Sequence, residues 1–478
     1  MPGRRASAAT LPARVPPFNE GVQRGRAANG TFRRFPIDTA RPSRYIPGMT
    51  DASLAARAVA LDLVREVLRK SVPLDDAFDA HPGVGALEPR DRGFVRLLVS
   101  TVLRRLGQID ALIEGSLAKP GLPKALVHDV LRLGTAQLVF LGTPAHAAVD
   151  TSVELAAARG AAPYKGLINA VLRRLSREGV ELARAQDAGR LNAPDWLWLA
   201  WRQAYGTGRA RGIVEAHLTE APLDVTVKEN PAAWAAPLEA TLLPTGTLRR
   251  PSGGAITELP GFAEGAWWVQ DLAASLPAKL MGDVKGKRVY DLCAAPGGKT
   301  AQLCAMGADV VAVDRSARRL ERVKENLSRL HLTAELLAAD VAAWDPGAPA
   351  DAVLLDAPCT ATGAIRRHPD VQRLKQPDDV AKLARAQGRL LAHAVDLVKP
   401  GGTLVYCTCS IQPEEGEAQI DRLITKDDRV ERVPVTPDEL DGLAELINDR
   451  GEVRSLPGML ADRGGIDGFF VARLRRLP

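Results

Sequence analysis

The sequence predicts a multidomain protein, with an all-α domain, a small α/β domain and a doubly wound, Rossmann-like α/β domain. Three observations support this fold class. The chain has 478 residues, more than one hydrophobic core usually supports. Apolar residues recur at helical spacing through the first part of the chain. After about residue 285, short apolar runs typical of buried strands alternate with helical segments.

Composition and charge narrow the class of protein. Hydrophobic residues make up 46% of the chain, but no apolar run approaches the ~18 residues of a membrane helix. The net charge of +6 suits a polyanionic partner without proving one. All five cysteines follow residue 290, an odd number without the spacing of a secreted disulfide framework. We therefore expect a soluble, monomeric protein of a reducing cytoplasm, with free thiols.

Residues 1–48 carry nine arginines against two acidic residues and show no hydrophobic period. This composition resembles a mitochondrial transit peptide. A disordered basic extension, or a misassigned start codon with Met49 as the true start, explains it equally simply. We favour the latter pair, because the sequence from Met49 onward already begins like a domain.

Residues 49–188 predict an all-α domain. Segments such as "LAARAVALDLVREVLRK" and "YKGLINAVLRRLSRE" repeat apolar residues every three or four positions, and Pro and Gly separate them. Two arginine pairs, Arg104–Arg105 and Arg173–Arg174, interrupt apolar stripes. They are candidate contacts to RNA phosphates, but the pattern alone favours solvated helix faces.

Residues 189–284 predict a small α/β linker domain. Six of the seven tryptophans lie here, beside arginines. Such rings can stack on unpaired bases, although filling a small core is the simpler explanation for most of them. The stretch "APLDVTVKE" predicts a strand, and "PTGTLRRPSGG" predicts a turn-rich loop.

Residues 285–478 predict the doubly wound domain. The strands "KRVYDLCAA", "DVVAVD", "AELLAAD", "DAVLLDAP" and "GTLVYCT" alternate with helices, including a long one around 378–398. The stretches "GEVRSLPGM" and "GIDGFFVARLRR" predict an antiparallel pair that closes one edge of the sheet.

The loop after the first of these strands, "DLCAAPGGKT", predicts a cofactor site. Gly297 and Gly298 allow close approach of a ligand, and the following helix offers free N–H groups. The next strands end in Asp314, placed for ribose hydroxyls, and Asp340, placed near an adenine ring. The loop lacks both the Walker and the G-x-G-x-x-G patterns. We therefore expect a nucleoside-bearing cofactor without a pyrophosphate, which favours S-adenosylmethionine over NAD.

Two thiols and a carboxylate are expected to meet at the same edge of the sheet. The fourth strand ends in Asp356, Pro358 and Cys359, and the fifth ends in the "CTC" of residues 407–409. Neighbouring parallel strands would bring Cys359 and Cys409 together. A cysteine nucleophile, a carboxylic acid and a group that assists elimination suit methylation of cytosine at carbon 5, which first requires thiolate addition at carbon 6.

Cys409 is the predicted nucleophile. A helix is expected to begin directly after it, and a helix N-terminus stabilises a thiolate. Cys407, deeper on the same strand, is interpreted as core filler. A metal site is not predicted, because C-x-C without a second Cys or His pair lacks the spacing of four ligands. A DNA cytosine methyltransferase would instead use the Pro–Cys thiol, Cys359.

At these residues the sequence resembles the RNA cytosine-5 methyltransferases, and over nearly all of 51–478 it resembles the RsmB (Sun) family that modifies small-subunit ribosomal RNA. The motifs include "DLCAAPGGKT", "LLDAPCTATGAIRRHPD", "LVYCTCSI" and "DGFFVARL". The helical domain, with "LRLGTAQLVFL" and "GLINAVLRRL", is similar to the RNA-binding factor NusB. Where the family often has E-N-E, this chain has Glu415, Gly416 and Glu417, which predicts a looser helix start.

The resemblance implies roles for particular residues. It implies Cys409 as nucleophile, Cys359 as the cysteine that assists product release, and Asp356 as the carboxylate at the base. It implies a cofactor site made of Cys293, Ala294, Ala295, Pro296, Gly297, Gly298, Lys299, Asp314, Asp340 and Asp356. The predicted RNA contacts are Arg366, Arg367, Arg173 and Arg174.

The predicted activity is S-adenosylmethionine-dependent methylation of carbon 5 of a cytosine in 16S ribosomal RNA, through a covalent Cys–RNA intermediate. The same chemistry on tRNA or another RNA is one alternative. A non-catalytic RNA-binding factor of ribosome assembly, built on the helical domain, is an alternative from another class.

Overall fold

The computed structural model describes residues 52–478, and the structural statements below concern those residues. The predicted basic extension or misassigned start, 1–48, lies outside the described residues. Within 52–478, no helix is long and apolar enough to cross a membrane.

The first region is all-helical, as predicted. Its amphipathic pattern is clear in the longest helix, where Ile168, Leu172 and Leu175 are buried and Arg173 and Arg174 are exposed. Such helices bury one face each against a shared core. The helices are α1 (Ala52–Lys70), α2 (Leu74–Ala80), α3 (Pro82–Gly85), α4 (Pro89–Arg104), α5 (Leu106–Ser116), α6 (Ala125–Thr135), α7 (Ala145–Ala156), α8 (Lys165–Ala185) and α9 (Ala188–Asn192).

The second region is a small antiparallel sheet with flanking helices, in the strand order β2-β3-β1-β4. Its elements are α10 (Asp195–Ala216), β1 (Leu223–Val227), α11 (Pro231–Ala235), β2 (Thr241–Leu242), β3 (Leu248–Arg250), β4 (Trp267–Val269) and α12 (Leu272–Lys279). Three of the six tryptophans, Trp201, Trp267 and Trp268, are buried, and the other three are partly buried against hydrophobic clusters. The predicted loop "PTGTLRRPSGG" is wrong in part, because Leu248 is buried and its segment pairs with β1.

The third region is the doubly wound domain. Its elements are β5 (Arg288–Leu292), α13 (Gly298–Ala305), β6 (Asp309–Asp314), α14 (Ala317–Arg329), β7 (Glu335–Ala338), β8 (Ala350–Asp356), α15 (Val371–Leu374), α16 (Pro377–Asp396), β9 (Val398–Thr408), α17 (Glu417–Lys426), β10 (Val430–Arg432), β11 (Val453–Ser455), β12 (Pro457–Leu460) and β13 (Phe469–Arg476). The main sheet has the order β10-β13-β9-β8-β5-β6-β7, and β11 pairs with β13.

Local sequence explains these elements. In β8 five of the seven residues are buried, as expected for a parallel strand covered on both faces. Helix α16 starts at Pro377, and Gln376 and Asp379 form a reciprocal capping box around that start. The C-terminal strand β13 runs antiparallel to β9, with Val471 opposite Cys407. The tail therefore forms the predicted antiparallel strands, although β13 lies inside the sheet and β10 forms its edge.

Candidate active site at the carboxyl edge of the sheet

The order of the strands reverses between β5 and β8. From β5 the chain continues to β6 and β7 on one side, whereas β8 and β9 lie on the other, and all five strands are parallel. Ligands of doubly wound proteins bind beyond the carboxyl ends of the strands at such a reversal. The loops after β5, β6, β8 and β9 hold most of the predicted site residues.

The predicted cofactor loop, Cys293–Gly297, makes a tight turn between β5 and α13. Cys293 and Gly297 have positive φ angles of 62° and 99°. A Cβ on Gly297 would lie 2.9 Å from Val323 Cγ1, so both the backbone conformation and the space require glycine. The Ala295 N–H donates to Asp314 Oδ2 at 3.2 Å. The loop is therefore held by the carboxylate that ends β6.

The strand-end carboxylates differ in exposure. Asp314 is buried, and its Oδ1 also accepts from Ser316 N at 2.9 Å. Asp340 is exposed in the loop after β7, where Oδ1 accepts from Ala342 N at 3.1 Å. Asp291, which sequence reasoning did not assign, is fully buried on β5. Its Oδ2 accepts from Thr300 Oγ1 at 2.6 Å, and its Oδ1 has no hydrogen-bond partner among the described residues.

Burial raises the pKa of Asp291 to about 7, partly offset by the Thr300 hydrogen bond. An acidic residue within an otherwise apolar strand was the available signal for this residue. The unpaired Oδ1 oxygen lies inside the protein, on the strand that leads into the cofactor loop.

The two expected cysteines meet. Cys359 Sγ and Cys409 Sγ lie 3.5 Å apart, although fifty residues separate them in the chain. They follow the adjacent parallel strands β8 and β9, which pair Asp356 with Cys407. The Cys407 side chain is buried, and its Sγ lies 3.5 Å from Asp356 Oδ1. Cys407 is thus a core residue that also contacts the site carboxylate.

Lys299, at the start of α13, connects the cofactor loop to the thiols. Its Nζ donates to Asp356 Oδ2 at 2.7 Å and lies 5.1 Å from the centre of the Phe469 ring. Burial alone would lower the pKa of Lys299, but the negative charge of Asp356 raises it above its ordinary value, and Cys407 and Cys409 contribute in the same direction. Lys299 is therefore a cation that faces both the carboxylate and the thiols.

Cys359 and Cys293 are held as neutral thiols. The hydrogen bond with Cys409, followed by burial, raises the pKa of Cys359 well above its ordinary value. Burial, reinforced by Asp356, raises the pKa of Cys293 to about 12. Cys359 accordingly keeps its proton at neutral pH.

The expected helix start directly after Cys409 is wrong. A 3₁₀ turn occupies Pro413–Glu415, and α17 begins at Glu417, eight positions after Cys409. The proline and the carboxylates suggested an earlier start, but Glu415 is buried and used elsewhere. The buried cation beside this part of the site is Lys299, which pairs with Asp356.

The four predicted RNA contacts fall into two classes. Arg173 and Arg174 are exposed on α8, as a phosphate contact requires. Arg366 is buried, and its guanidinium bonds Asp467 Oδ1 and the Gly464 carbonyl. Arg367 bonds Asp467 at 2.7 Å and Asp271 at 2.6 Å.

The prediction of RNA contacts for Arg366 and Arg367 is therefore corrected. The carboxylates of Asp271 and Asp467 bond this pair and neutralise it inside the protein. Asp224, which bonds Arg249 with both oxygens, lies 3.9 Å from Arg367. In residues 52–478, no group of three or more His, Cys, Asp or Glu side chains is arranged to hold a metal ion.

Comparison with known proteins identifies the family. A model described as 16S rRNA methyltransferase RsmB/F matches residues 278–475, and a NusB family model matches residues 54–177. Ribosomal RNA small subunit methyltransferase B of Vibrio cholerae is 36% identical over 442 residues, which cover 88% of this chain and 97% of that protein. The chain belongs to the RsmB/F family of 16S rRNA methyltransferases.

A second relative supports the same family, and two solved structures support the fold. The protein of the same name from Pseudomonas putida is 37% identical over 445 residues, 88% of this chain and 98% of that protein. The crystal structure of PH0851 has a TM-score of 0.69 at 22% identity and covers 90% of this chain and 100% of its own. NSun6 from Pyrococcus horikoshii with SFG has a TM-score of 0.50 at 21% identity, over 60% of this chain and 98% of its own. The predicted RsmB/F membership and fold class are confirmed.

Proposed function

We propose that this RsmB/F family member methylates carbon 5 of a cytosine in small-subunit ribosomal RNA, through a covalent bond between Cys409 and the base. One observation carries the proposal: the 3.5 Å separation of Cys359 Sγ and Cys409 Sγ, beside Asp356 and Lys299. A methyltransferase acting on nitrogen or oxygen has no need of two adjacent thiols.

The residues around the cofactor loop suit S-adenosylmethionine. Gly297 keeps the backbone open, Asp314 has carboxylate oxygens for ribose hydroxyls, and Asp291 retains an oxygen without a partner among the described residues. Cys293 to Lys299 would line the ligand, and Asp340, exposed after β7, would face the adenine. When bound, S-adenosylmethionine supplies an electrophilic methyl group.

The protein residues would then act in sequence. The Cys409 sulfur bonds to carbon 6 of the cytosine, and the proton of its thiol passes by way of the Asp356 carboxylate to ring nitrogen 3. This makes carbon 5 nucleophilic, and carbon 5 accepts the methyl group. Release follows: carbon 5 loses its proton to water, the double bond between carbons 5 and 6 re-forms, Cys409 departs as a thiolate, and ring nitrogen 3 gives its proton back by way of Asp356. Cys359 assists by donating a hydrogen bond to the departing Cys409 thiolate.

Lys299 orients Asp356 and stabilises negative charge at the thiols. Lys299 bonds one oxygen of the Asp356 carboxylate, Oδ2, and the other oxygen, Oδ1, contacts Cys407 Sγ. Because the buried cation lies in a site of low dielectric, its effect on a developing thiolate is larger than it would be in water.

The proposed substrate is 16S ribosomal RNA, because the relatives that share most of their length with this chain carry small-subunit ribosomal RNA in their names. Arg173 and Arg174, exposed on α8, are the proposed phosphate contacts. The proposed working unit is a single chain in the cytoplasm. Bisulfite mapping of ribosomal RNA and tRNA from cells with and without the gene distinguishes this substrate from another RNA.

Cysteine variants test the mechanism. Cys409→Ser is expected to lower methyl transfer by at least about 10³-fold, since serine is a far weaker nucleophile at neutral pH, and to form no covalent RNA adduct. Cys359→Ala is expected to let the adduct accumulate, which denaturing gels of labelled RNA would reveal.

The matched control is Cys304→Ser, a partly buried cysteine on α13 whose Sγ donates to the Thr333 carbonyl. It should retain methyl transfer and show no accumulated adduct. An adduct formed by Cys409→Ser would overturn the assignment of the nucleophile.

A further inference from the structure

A buried carboxylate ties together the two segments that carry the thiols. Glu415 is fully buried. Its Oε2 accepts from Thr360 Oγ1 at 2.5 Å and from Ser410 Oγ at 2.5 Å. Thr360 directly follows Cys359, and Ser410 directly follows Cys409. One carboxylate therefore holds the residues next to both thiols.

The second oxygen of Glu415 completes the attachment of the Cys359 segment. Oε1 accepts from Thr360 N at 3.0 Å and from Gln387 Nε2 at 3.0 Å. The same Gln387 amide, on α16, donates to the Pro358 carbonyl at 2.9 Å. The residues on either side of Cys359 are thus fixed by one pair of buried side chains. Four donors satisfy the carboxylate, as a buried charge requires.

Arg454 holds the Cys409 segment from β11. Its Nη1 donates to the Ser410 carbonyl at 2.6 Å, while Nε and Nη2 bond Glu417 at 2.9 and 2.6 Å. A Cβ on Gly416 would lie 2.2 Å from Arg454 Nη2. The glycine that departs from the family pattern therefore leaves room for this guanidinium, and α17 starts at the next residue.

We propose that Glu415 is a positioning residue that sets the separation of the Cys359 and Cys409 sulfur atoms. The inference rests on the proposed function and adds to it the means by which two thiols from separate loops reach one base. Addition at carbon 6 and elimination from carbon 5 involve neighbouring atoms of the same ring. A shift of about 1 Å in either sulfur would therefore lower the rate by up to about 10²-fold.

The test compares Glu415→Gln with Glu414→Gln. We call the contacts of Glu415, Gln387 and Arg454 with the two cysteine segments the clamp. Glu414 is the preceding glutamate and its side chain is exposed, so this variant makes the same chemical change outside the clamp. A glutamine at 415 replaces one acceptor oxygen with an NH₂ group that faces backbone and side-chain donors. Thr360→Val and Ser410→Ala, which each remove one hydroxyl donor to Glu415, provide milder variants if Glu415→Gln fails to fold.

Disulfide closure measures the sulfur separation without methylation. Diamide takes two electrons and two protons from the Cys359 and Cys409 thiols and is reduced to its hydrazine, and one S–S bond forms. Peptide mapping follows the bond in the folded protein. Wild type and Glu414→Gln should close at rates within twofold of each other, and Glu415→Gln at least about tenfold more slowly.

Steady-state kinetics give the second readout. We expect kcat of Glu415→Gln to fall about 10- to 100-fold, with KM for RNA and Kd for S-adenosylmethionine within about threefold of wild type. Closure at the wild-type rate by folded Glu415→Gln would overturn the positioning role, whatever its thermal stability. Failure of wild type to methylate cytosine would overturn the proposed function instead, and the closure rates would still test the clamp.

Discussion

The two halves of the candidate site are held by different kinds of contact. In the cofactor half, residues 291–300 with Asp314, the carboxylate of Asp314 bonds the backbone of Ala295 and Ser316. In the thiol half, residues 356–362 with 407–411, buried side chains from later elements do this work: Glu415, Arg454 and Gln387. The cofactor half is organised by consecutive βα units, whereas the thiol half depends on side chains contributed by separate segments.

This difference has a physical origin. In the proposed function, the loops after β5 and β6 would bind the cofactor through their own backbone, which a tight turn and one strand-end carboxylate can arrange. Two thiols on separate loops have no such backbone constraint. Their separation needs buried, fully hydrogen-bonded side chains, because each rotamer must be fixed.

Lys299 spans both halves, and its removal should have the largest effect. Lys299→Met leaves the Asp356 carboxylate without its cation and removes positive charge from the thiols. We expect kcat to fall by about 10²- to 10³-fold, and the free energy of unfolding to fall by about 2 kcal/mol, since the partly exposed Asp356 carboxylate loses its charged hydrogen-bond donor. Steady-state kinetics and urea denaturation measure the two quantities.

The matched control for this prediction is Lys382→Met. Lys382 is exposed on α16. Its replacement should change the free energy of unfolding by no more than about 0.5 kcal/mol, and kcat by no more than about twofold. Wild-type kcat in Lys299→Met would show that the two halves act without an electrostatic link.

The contrast between the halves also explains what the sequence could predict. The cofactor loop, the strand-end carboxylates and the adjacency of Cys359 and Cys409 follow from local patterns and the strand order of doubly wound sheets. The roles of Glu415 and Arg454 do not follow from such patterns, because a glutamate two residues after a proline looks in the sequence like part of a helix N-terminus. Contacts such as Arg454 to Ser410, forty-four residues apart, depend on how β11 joins the sheet.

The arginine pairs illustrate the same limit. Arg173–Arg174 and Arg366–Arg367 are identical dipeptides, yet the first is exposed and the second is neutralised by buried carboxylates. Nothing local distinguishes them, since Asp467 and Asp271 lie about 100 residues away in either direction. The fold class was predictable from periodicity, but the partner of a buried charge is set by tertiary structure.

Asp291 should make the stability of the cofactor half depend on pH. Burial raises its pKa from 3.8 to about 7, so between these values the folded protein keeps a proton that the unfolded chain has released. The free energy of unfolding should therefore fall as pH rises through this window, by about 2 to 4 kcal/mol relative to Asp291→Asn, which does not titrate.

Denaturant titrations at pH 5 and pH 8 measure this difference. Asp428→Asn, at an exposed aspartate, is the control and should follow wild type at both pH values. Parallel pH profiles for wild type and Asp291→Asn would mean that Asp291 ionises normally in the folded protein.

Asp314→Asn should have the smallest effect and provides the most direct test of the contrast. Asparagine keeps one acceptor but turns an NH₂ group toward the Ala295 or Ser316 N–H, so the loop must shift. We expect Kd for S-adenosylmethionine, measured by calorimetry, to rise about tenfold, or about 1.4 kcal/mol. The rate of Cys359–Cys409 closure by diamide should stay within twofold of wild type, because none of the clamp contacts involves Asp314. If disulfide closure slowed as much in Asp314→Asn as in Glu415→Gln, the cofactor half and the thiol half would be one coupled unit. The contrast between their two kinds of contact would then be wrong.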